Sequence, residues 1–295
     1  MISIVVNKEL EGLRLDKFIC KKFDISFGLA QKIIREKKVK VNSKRVDAAY
    51  KTQESDRVEI HAELPKRFES QKSKPKISEE KLKKFLTTKI FEDENLLAID
   101  KPSGLATQGG SGIDISVDDF VSLKKWQLVH RLDKDTSGVL LIAKNNETAE
   151  FLTDAFRNKT VKKTYLALVN GLVGKEKGTI NIPLRKKLLG KNEKVSPDFV
   201  EGKEAITDFK ILQKLSDYTL LELKPLTGRT HQLRVHCKEI GHPILNDVKY
   251  GGKNVIRKDL CKRLCLHASK VEIENYCGKT LVIESALPEF IRKKS

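Results

Sequence analysis

The chain has 295 residues, 58 of them lysine or arginine against 40 aspartate or glutamate, a balance of +18. That length allows two folded units, and so large a positive excess points to a polyanionic partner, nucleic acid first. No apolar stretch approaches the ~20 residues of a membrane span, the start MISIVVNKELEG lacks a signal-peptide pattern, and five scattered cysteines do not make a disulfide framework, so a cytoplasmic protein away from membranes is expected.

From the N-terminus, Leu15, Phe18 and Ile19 recur at helical spacing after Arg14. A second helix is predicted from a Ser26 cap, with Leu29, Ile33 and Ile34 on one face. Lys38-Val39-Lys40-Val41 alternates with period two, Asn42-Ser43 supplies a turn, and Val58-Glu59-Ile60 reads as a further strand. This first unit, residues 1–65, ends near Pro65. Residues 66–89 carry nine basic residues against three acidic ones and read as a basic linker that cannot bury a core. Beyond it, strands are predicted at Leu96–Asp100, Val139–Ala143, Thr164–Val169, Ala205–Leu212, Tyr218–Leu223 and Leu281–Glu284. Helical patterns cover Glu147–Arg157 and His231–Ile240. Many strands with few helices predict an α+β catalytic domain over residues 90–295, built on a mainly antiparallel mixed sheet flanked by helices.

Two stretches concentrate chemistry. In HRLDKDTSG (130–138), Asp133 sits where a turn meets a strand, between Arg131 and Lys134, and Gly138 lets the backbone bend before the apolar run. Nearby cations favour the ionised carboxylate, which suits a nucleophile or an electrostatic stabiliser, while an aspartate capping its own turn fits the same residues equally well. In LKPLTGRTHQLRVHCKEIGHP (223–243), Thr230 is the predicted cap of a helix stopped by Gly241 and Pro243. Leu233, Cys237 and Ile240 share one face of that helix, and His231 and Arg234 another. Arg229 and Arg234 lie near a helix N-terminus, where backbone N–H groups also favour anions, so phosphate or an active carboxylate is the target. Cys261, Cys265 and His267 are the one local cluster of soft ligands, and no second ligand pair stands at short spacing, so no metal site is expected.

Residues 90–291 resemble the RluA-type pseudouridine synthases. The likeness rests on DKPSGLATQGGSG (100–112), HRLDKDTSGVLLIAK (130–144), KTYLALVNG (163–171) and TGRTHQLRVH (227–236), four long motifs in order. Residues 13–61 are similar to the small RNA-binding S4 domain on LRLDKFI (13–19) and VKVNSKRV (39–46), with Lys38 and Ser43 where that family often has glycine. The resemblance implies Asp133 as the nucleophile, Arg234 as its salt-bridge partner and Tyr165 as the aromatic residue packed on the target base. Arg131 would help to open the RNA, and His130, Thr136, Arg229, His231 and Gln232 would contact the substrate. In the S4-like unit, Lys32, Arg35, Lys37, Lys44 and Arg45 would face structured RNA.

The implied reaction isomerises uridine to pseudouridine: the glycosidic bond breaks, the base turns, and its C5 bonds to the ribose. Nothing is oxidised or transferred, so no cofactor is expected. The target nucleotide must be flipped out of the RNA, at a cost of a few kcal/mol. The expected substrate is 23S ribosomal RNA or a ribosomal precursor, acted on by a monomer. Transfer RNA is the alternative substrate, and a non-catalytic RNA-binding assembly factor the alternative function.

Overall fold

A computed structural model describes residues 2–25, 27–64, 77–110, 112–189 and 192–292. The chain divides into two compact units, Met1–Lys74 and Pro75–Ser295. No helix among the described residues is long and apolar enough to cross a membrane.

In the first unit, β1 (Ile2–Val5), α1 (Leu15–Phe23), α2 (Phe27–Arg35), β2 (Val39–Val41) and β3 (Arg57–Ile60) follow in order, and the antiparallel sheet runs β1-β3-β2. Leu15, Phe18 and Ile19 of α1 pack with Ala30, Ile33 and Ile34 of α2 onto Val39, Val41, Val58 and Ile60. The helical spacing read from the sequence therefore corresponds to one shared core. Ser26, the predicted cap, lies outside the described residues. The turn after β2 places Asn42 and Ser43 at φ 49° and 63°, and before β2 it is Lys37, not Lys38, that takes a left-handed φ of 61°.

The second unit opens with α3 (Glu79–Leu86), capped by the Ser78 hydroxyl, which accepts from the Lys81 N–H at 3.3 Å. The expected linker thus does not extend to residue 89. Phe85 of α3 is buried and stacks on Phe120 with ring centroids 4.4 Å apart, so the basic residues around it occupy the outside of an amphipathic helix. Residues 65–76 of that expected linker lie outside the described residues.

Next come β4 (Lys89–Glu92), β5 (Leu96–Lys101), α4 (Val117–Leu123), β6 (Gln127–Leu128), β7 (Ser137–Ala143), α5 (Asn146–Arg157) and β8 (Val161–Asn170). After them come β9 (Lys177–Asn181), β10 (Leu184–Leu189), β11 (Asn192–Pro197), β12 (Ile206–Lys214) and β13 (Tyr218–Pro225). The chain closes with α6 (Gln232–Glu239), α7 (Val248–Gly251), β14 (Leu266–Tyr276), β15 (Lys279–Glu284) and α8 (Glu289–Arg292). The main sheet has ten strands in the order β4-β5-β7-β14-β8-β13-β12-β9, with β15 against β14 and β6 against β7, while β10 and β11 form a separate hairpin. One pairing, β7 with β14, is parallel, and the rest are antiparallel. This is the α+β architecture with a mainly antiparallel mixed sheet.

The apolar runs at β5 and β7 are buried on both faces. Leu96, Ala98, Val139 and Leu141 point toward Leu152 and Ala155 of α5, whereas Leu97, Ile99, Leu140 and Ile142 point toward Val117, Phe120 and Val121 of α4. Each fully buried Leu or Ile contributes about 1.5–3 kcal/mol, which fixes the strand register. The start of β7 therefore cannot slide, and the loop before it is held at a defined place on the sheet.

Strand β14 joins the two halves. His267 and Ala268 pair with Ser137 and Gly138 of β7 on one side, and Ala268 pairs with Tyr165 of β8 on the other. Gly138 has φ +111°, and a Cβ there would stand 2.1 Å from the Ala268 carbonyl oxygen and 2.7 Å from its nitrogen. Both neighbours are backbone, so nothing can swing aside. Gly138→Ala is expected to destabilise the second unit by at least about 3 kcal/mol, measured by denaturant unfolding. A change below about 0.5 kcal/mol, the scatter of ordinary surface substitutions, would refute the close-approach argument.

Candidate active site

The loop between β6 and β7 owes its shape to hydrogen bonds with the 101–107 segment. The Thr107 hydroxyl donates to the Leu132 carbonyl at 2.7 Å and accepts the Leu132 N–H at 3.2 Å. The buried Lys101 ammonium donates to the carbonyls of Pro102, Leu105 and Lys134 at 3.1, 2.8 and 3.1 Å. The Gly104 N–H also reaches the Lys134 carbonyl, and the Thr136 N–H closes a turn on the Asp133 carbonyl. Burial pushes the Lys101 amine down to about 8, with Asp135 and Asp133 acting against it. Asp133 is thereby presented from a loop whose backbone is fixed on both sides of it.

Its carboxylate, 19% exposed, lies at the edge of a cleft of about 1030 Å³. Residues of the β6–β7 loop, of β8 and of the turn leading into α6 line that cleft. Asp133 Oδ2 is 3.8 Å from His231 Nε2 and 3.9 Å from Arg234 Nη1. The Arg234 guanidinium makes its close contacts elsewhere: Nε and Nη2 donate to the two oxygens of fully buried Asp247 at 2.8 and 2.7 Å. The expected pairing of Arg234 with Asp133 is therefore a loose one. The bidentate fork belongs to Asp247, and a single remaining nitrogen is turned toward the carboxylate in the cleft.

Tyr165 lines the same cleft from β8, packed at its base against both flanking cores, and burial raises its hydroxyl pKa, with the Asp133 charge adding to the effect. Arg131 is exposed and Thr136 is buried, and both line the cleft. His130 also reaches it, but its Nε2 accepts the Leu141 N–H at 2.8 Å and its ring stacks on Phe156 at 4.6 Å. Burial, reinforced by Lys163, pushes His130 down to about 3. It is a neutral acceptor pinning the loop, with its Nε2 and one ring face already occupied.

Gln232 departs further from expectation. Its Oε1 accepts from the Thr227 hydroxyl and the Arg229 N–H, and its Nε2 donates to the Ile206 carbonyl and the Thr207 hydroxyl, at 2.7–3.0 Å. A buried amide with all four bonds made inside the protein has none left for RNA. Arg229 Nε likewise donates to the Glu204 carbonyl at 2.9 Å, although its side chain stays exposed.

The predicted cap of α6 moves by one residue. Not Thr230 but His231 takes the N-cap, in a left-handed conformation with φ 54° and ψ 20° and no side-chain cap bond. A histidine held there costs about 1 kcal/mol or more, and such strain concentrates at functional sites. The first six residues of the helix it opens, Gln232, Leu233, Arg234, Val235, His236 and Cys237, are all buried. In the first unit, Lys32, Arg35, Lys37, Lys44 and Arg45 are exposed, with Lys32 3.8 Å from Glu36.

Asp247, Tyr250, Thr107 and Lys101 escape motif reading as site residues. The signal for Asp247 is faint: it caps α7, accepting the Tyr250 N–H at 3.3 Å, and looks like an ordinary turn aspartate until Arg234 is seen against it.

Residues 95–239 match the model of the RNA pseudouridylate synthase family, and residues 13–58 match the S4 domain. The chain is 38% identical to ribosomal large subunit pseudouridine synthase C of Rickettsia bellii over 98% of this chain and 99% of that one. It is 36% identical to the protein of the same name from Vibrio cholerae over 91% and 87%. Among solved structures, the human RNA pseudouridylate synthase domain containing 4 superposes with a TM-score of 0.60 at 26% identity, covering 72% of this chain and 92% of that one. The human domain containing 1 gives 0.59 at 28%, covering 68% and 83%. The chain therefore belongs to the RNA pseudouridine synthases, RNA-modifying isomerases, and carries an S4 domain before its catalytic unit.

Proposed function

We propose that this enzyme converts specific uridines of large-subunit (23S) ribosomal RNA to pseudouridine, with Asp133 as the nucleophile acting on a uridine turned out of the RNA into the cleft. The observation that carries this reading is the placement of one carboxylate beside Tyr165, with two cationic or hydrogen-bonding partners standing off at 3.8 and 3.9 Å. A carboxylate bonded tightly on both oxygens would make a poor nucleophile, whereas one steadied from a distance keeps its lone pairs for the substrate. The names of the similar proteins support the ribosomal substrate, and the S4 domain supports a structured RNA.

The reaction balances without a second reactant. The C1′–N1 bond breaks, uracil turns while held in the cleft, C5 bonds to C1′, C5 loses a proton and N1 gains one. Flipping the nucleotide costs a few kcal/mol, and stacking on Tyr165 returns roughly 1–3 kcal/mol. The lysines and arginines around the cleft neutralise phosphate.

Asp133→Asn changes charge and almost no volume. It is expected to lower pseudouridine formation at least about 10³-fold while RNA affinity stays within about three-fold, read by single-turnover assay and filter binding. Wild-type rates in that variant would end the nucleophile assignment. Tyr165→Phe keeps the ring and should retain most activity, whereas Tyr165→Leu should lose about 10- to 100-fold through the missing stack. Arg234→Met leaves Asp247 buried and unpaired, so a loss of about 3–5 kcal/mol in the stability of the catalytic unit is expected by urea unfolding. Near wild-type stability would show that the Asp247 pairing is dispensable. Mapping pseudouridines in ribosomal and transfer RNA from cells with and without the gene tests the substrate: losses confined to transfer RNA would overturn the ribosomal reading.

A further inference from the structure

We infer that Tyr250 and His231 form a positioning relay that aims an N–H at the Asp133 carboxylate, an inference that rests on the reading of Asp133 as nucleophile. Tyr250 Oη accepts the Val195 N–H at 3.3 Å and lies 2.7 Å from His231 Nδ1. Among the described residues the phenol has no other hydrogen-bond partner, so its own proton has one place to go, the Nδ1 lone pair. If Nδ1 carried a hydrogen instead, the phenol would face two donors and its O–H would be left without an acceptor in a buried site. The arrangement therefore selects the tautomer with hydrogen on Nε2, the nitrogen 3.8 Å from Asp133 Oδ2.

The imidazole is kept neutral. Burial lowers its pKa, Asp133 opposes the shift, Arg234 and Lys249 reinforce it, and Asp247 opposes it more weakly. A neutral Nε2–H orients the carboxylate without pairing off its charge, which a second full cation beside Arg234 would do. The ring is placed for this by its left-handed backbone at the mouth of α6 and by edge-on packing against Tyr250, centroids 5.6 Å apart and planes at 77°. The same Tyr250 ring lies under the Arg234 guanidinium at 5.1 Å, so one aromatic residue sets both groups that face Asp133. The 3.8 Å gap is one that shortens when substrate fills the cleft, as catalytic hydrogen bonds do. Tyr250 stands beyond residue 239, where the family match ends.

The test uses the full-length chain with ¹⁵N-labelled histidine. In the wild-type protein His231 is expected as the Nε2–H tautomer, and an Nδ1–H tautomer overturns the relay without involving any variant. Tyr250→Phe keeps the ring under Arg234 and removes only the hydroxyl. It should convert His231 to a mixture of tautomers and slow single-turnover isomerisation roughly ten-fold, with RNA affinity unchanged within about two-fold. A wild-type rate in Tyr250→Phe, or a loss that appears in RNA affinity alone, also overturns it. Asp133→Asn is read in parallel: full activity there removes the nucleophile while the tautomer result stands, so the two failures are told apart.

Discussion

The catalytic unit depends on one contact, the approach of Gly138 to the backbone of Ala268. Strand β14 runs between the two halves of the sheet, and its residue 268 has Gly138 on one side and Tyr165 on the other. The loop that carries Asp133 leads into β7, which carries Gly138, and Tyr165 sits on β8. The width of β14 at Ala268 therefore sets the distance between the Asp133 carboxylate and the Tyr165 ring. A side chain at position 138 would push the strands apart, and Asp133 and Tyr165 with them.

A second constraint explains why so many polar residues precede a buried strand. The loop 130–136 buries only Leu132 as an apolar anchor, with Arg131 and Asp133 turned to a wet cleft, so its backbone is held largely by polar groups from elsewhere. Lys101 spends all three protons of its ammonium on carbonyls, one of which belongs to Lys134. Thr107 serves Leu132 both as donor and as acceptor. The segments 100–112 and 130–144 are thus two sides of one clamp. That accounts physically for a lysine at position 101, where burial without acceptors would cost several kcal/mol.

The legibility of the sequence followed the same division. Strands β5 and β7 read clearly because continuous apolar runs bury on both faces, and α1, α2 and α5 read clearly because their apolar spacing meets one core each. Strand β14 escapes pattern reading. After Leu266 it runs through His-Ala-Ser, and then Lys270 and Glu272 pair with each other at 2.8 Å on the face opposite Val271 and Ile273. Neither a long apolar run nor a turn signal marks its place at the centre. The segment 79–86 reads as linker because charge dominates its composition, while what makes it a helix is the packing of Phe85 against a distant Phe120. At the site, Asp133, Tyr165 and Arg234 stand in motifs. Gln232 stands in one as well, yet its role is internal, since motif membership does not say which way an amide points. Asp247 and Tyr250 become visible only when the chain after α6 folds back over Arg234.

The electrostatic arrangement carries the remaining step. Two aspartates compete for Arg234, and the fully buried one takes the fork. Desolvation dictates this: Asp247 has no water to fall back on and needs both hydrogen bonds, whereas Asp133 faces an open cleft and does not. The consequence is a division of labour within one guanidinium, with two nitrogens spent on holding α6 to α7 and the third left facing Asp133. Asp133 is thus kept near positive charge without being quenched by it. The protein leaves the Asp133 carboxylate open to the cleft by giving its arginine a better partner.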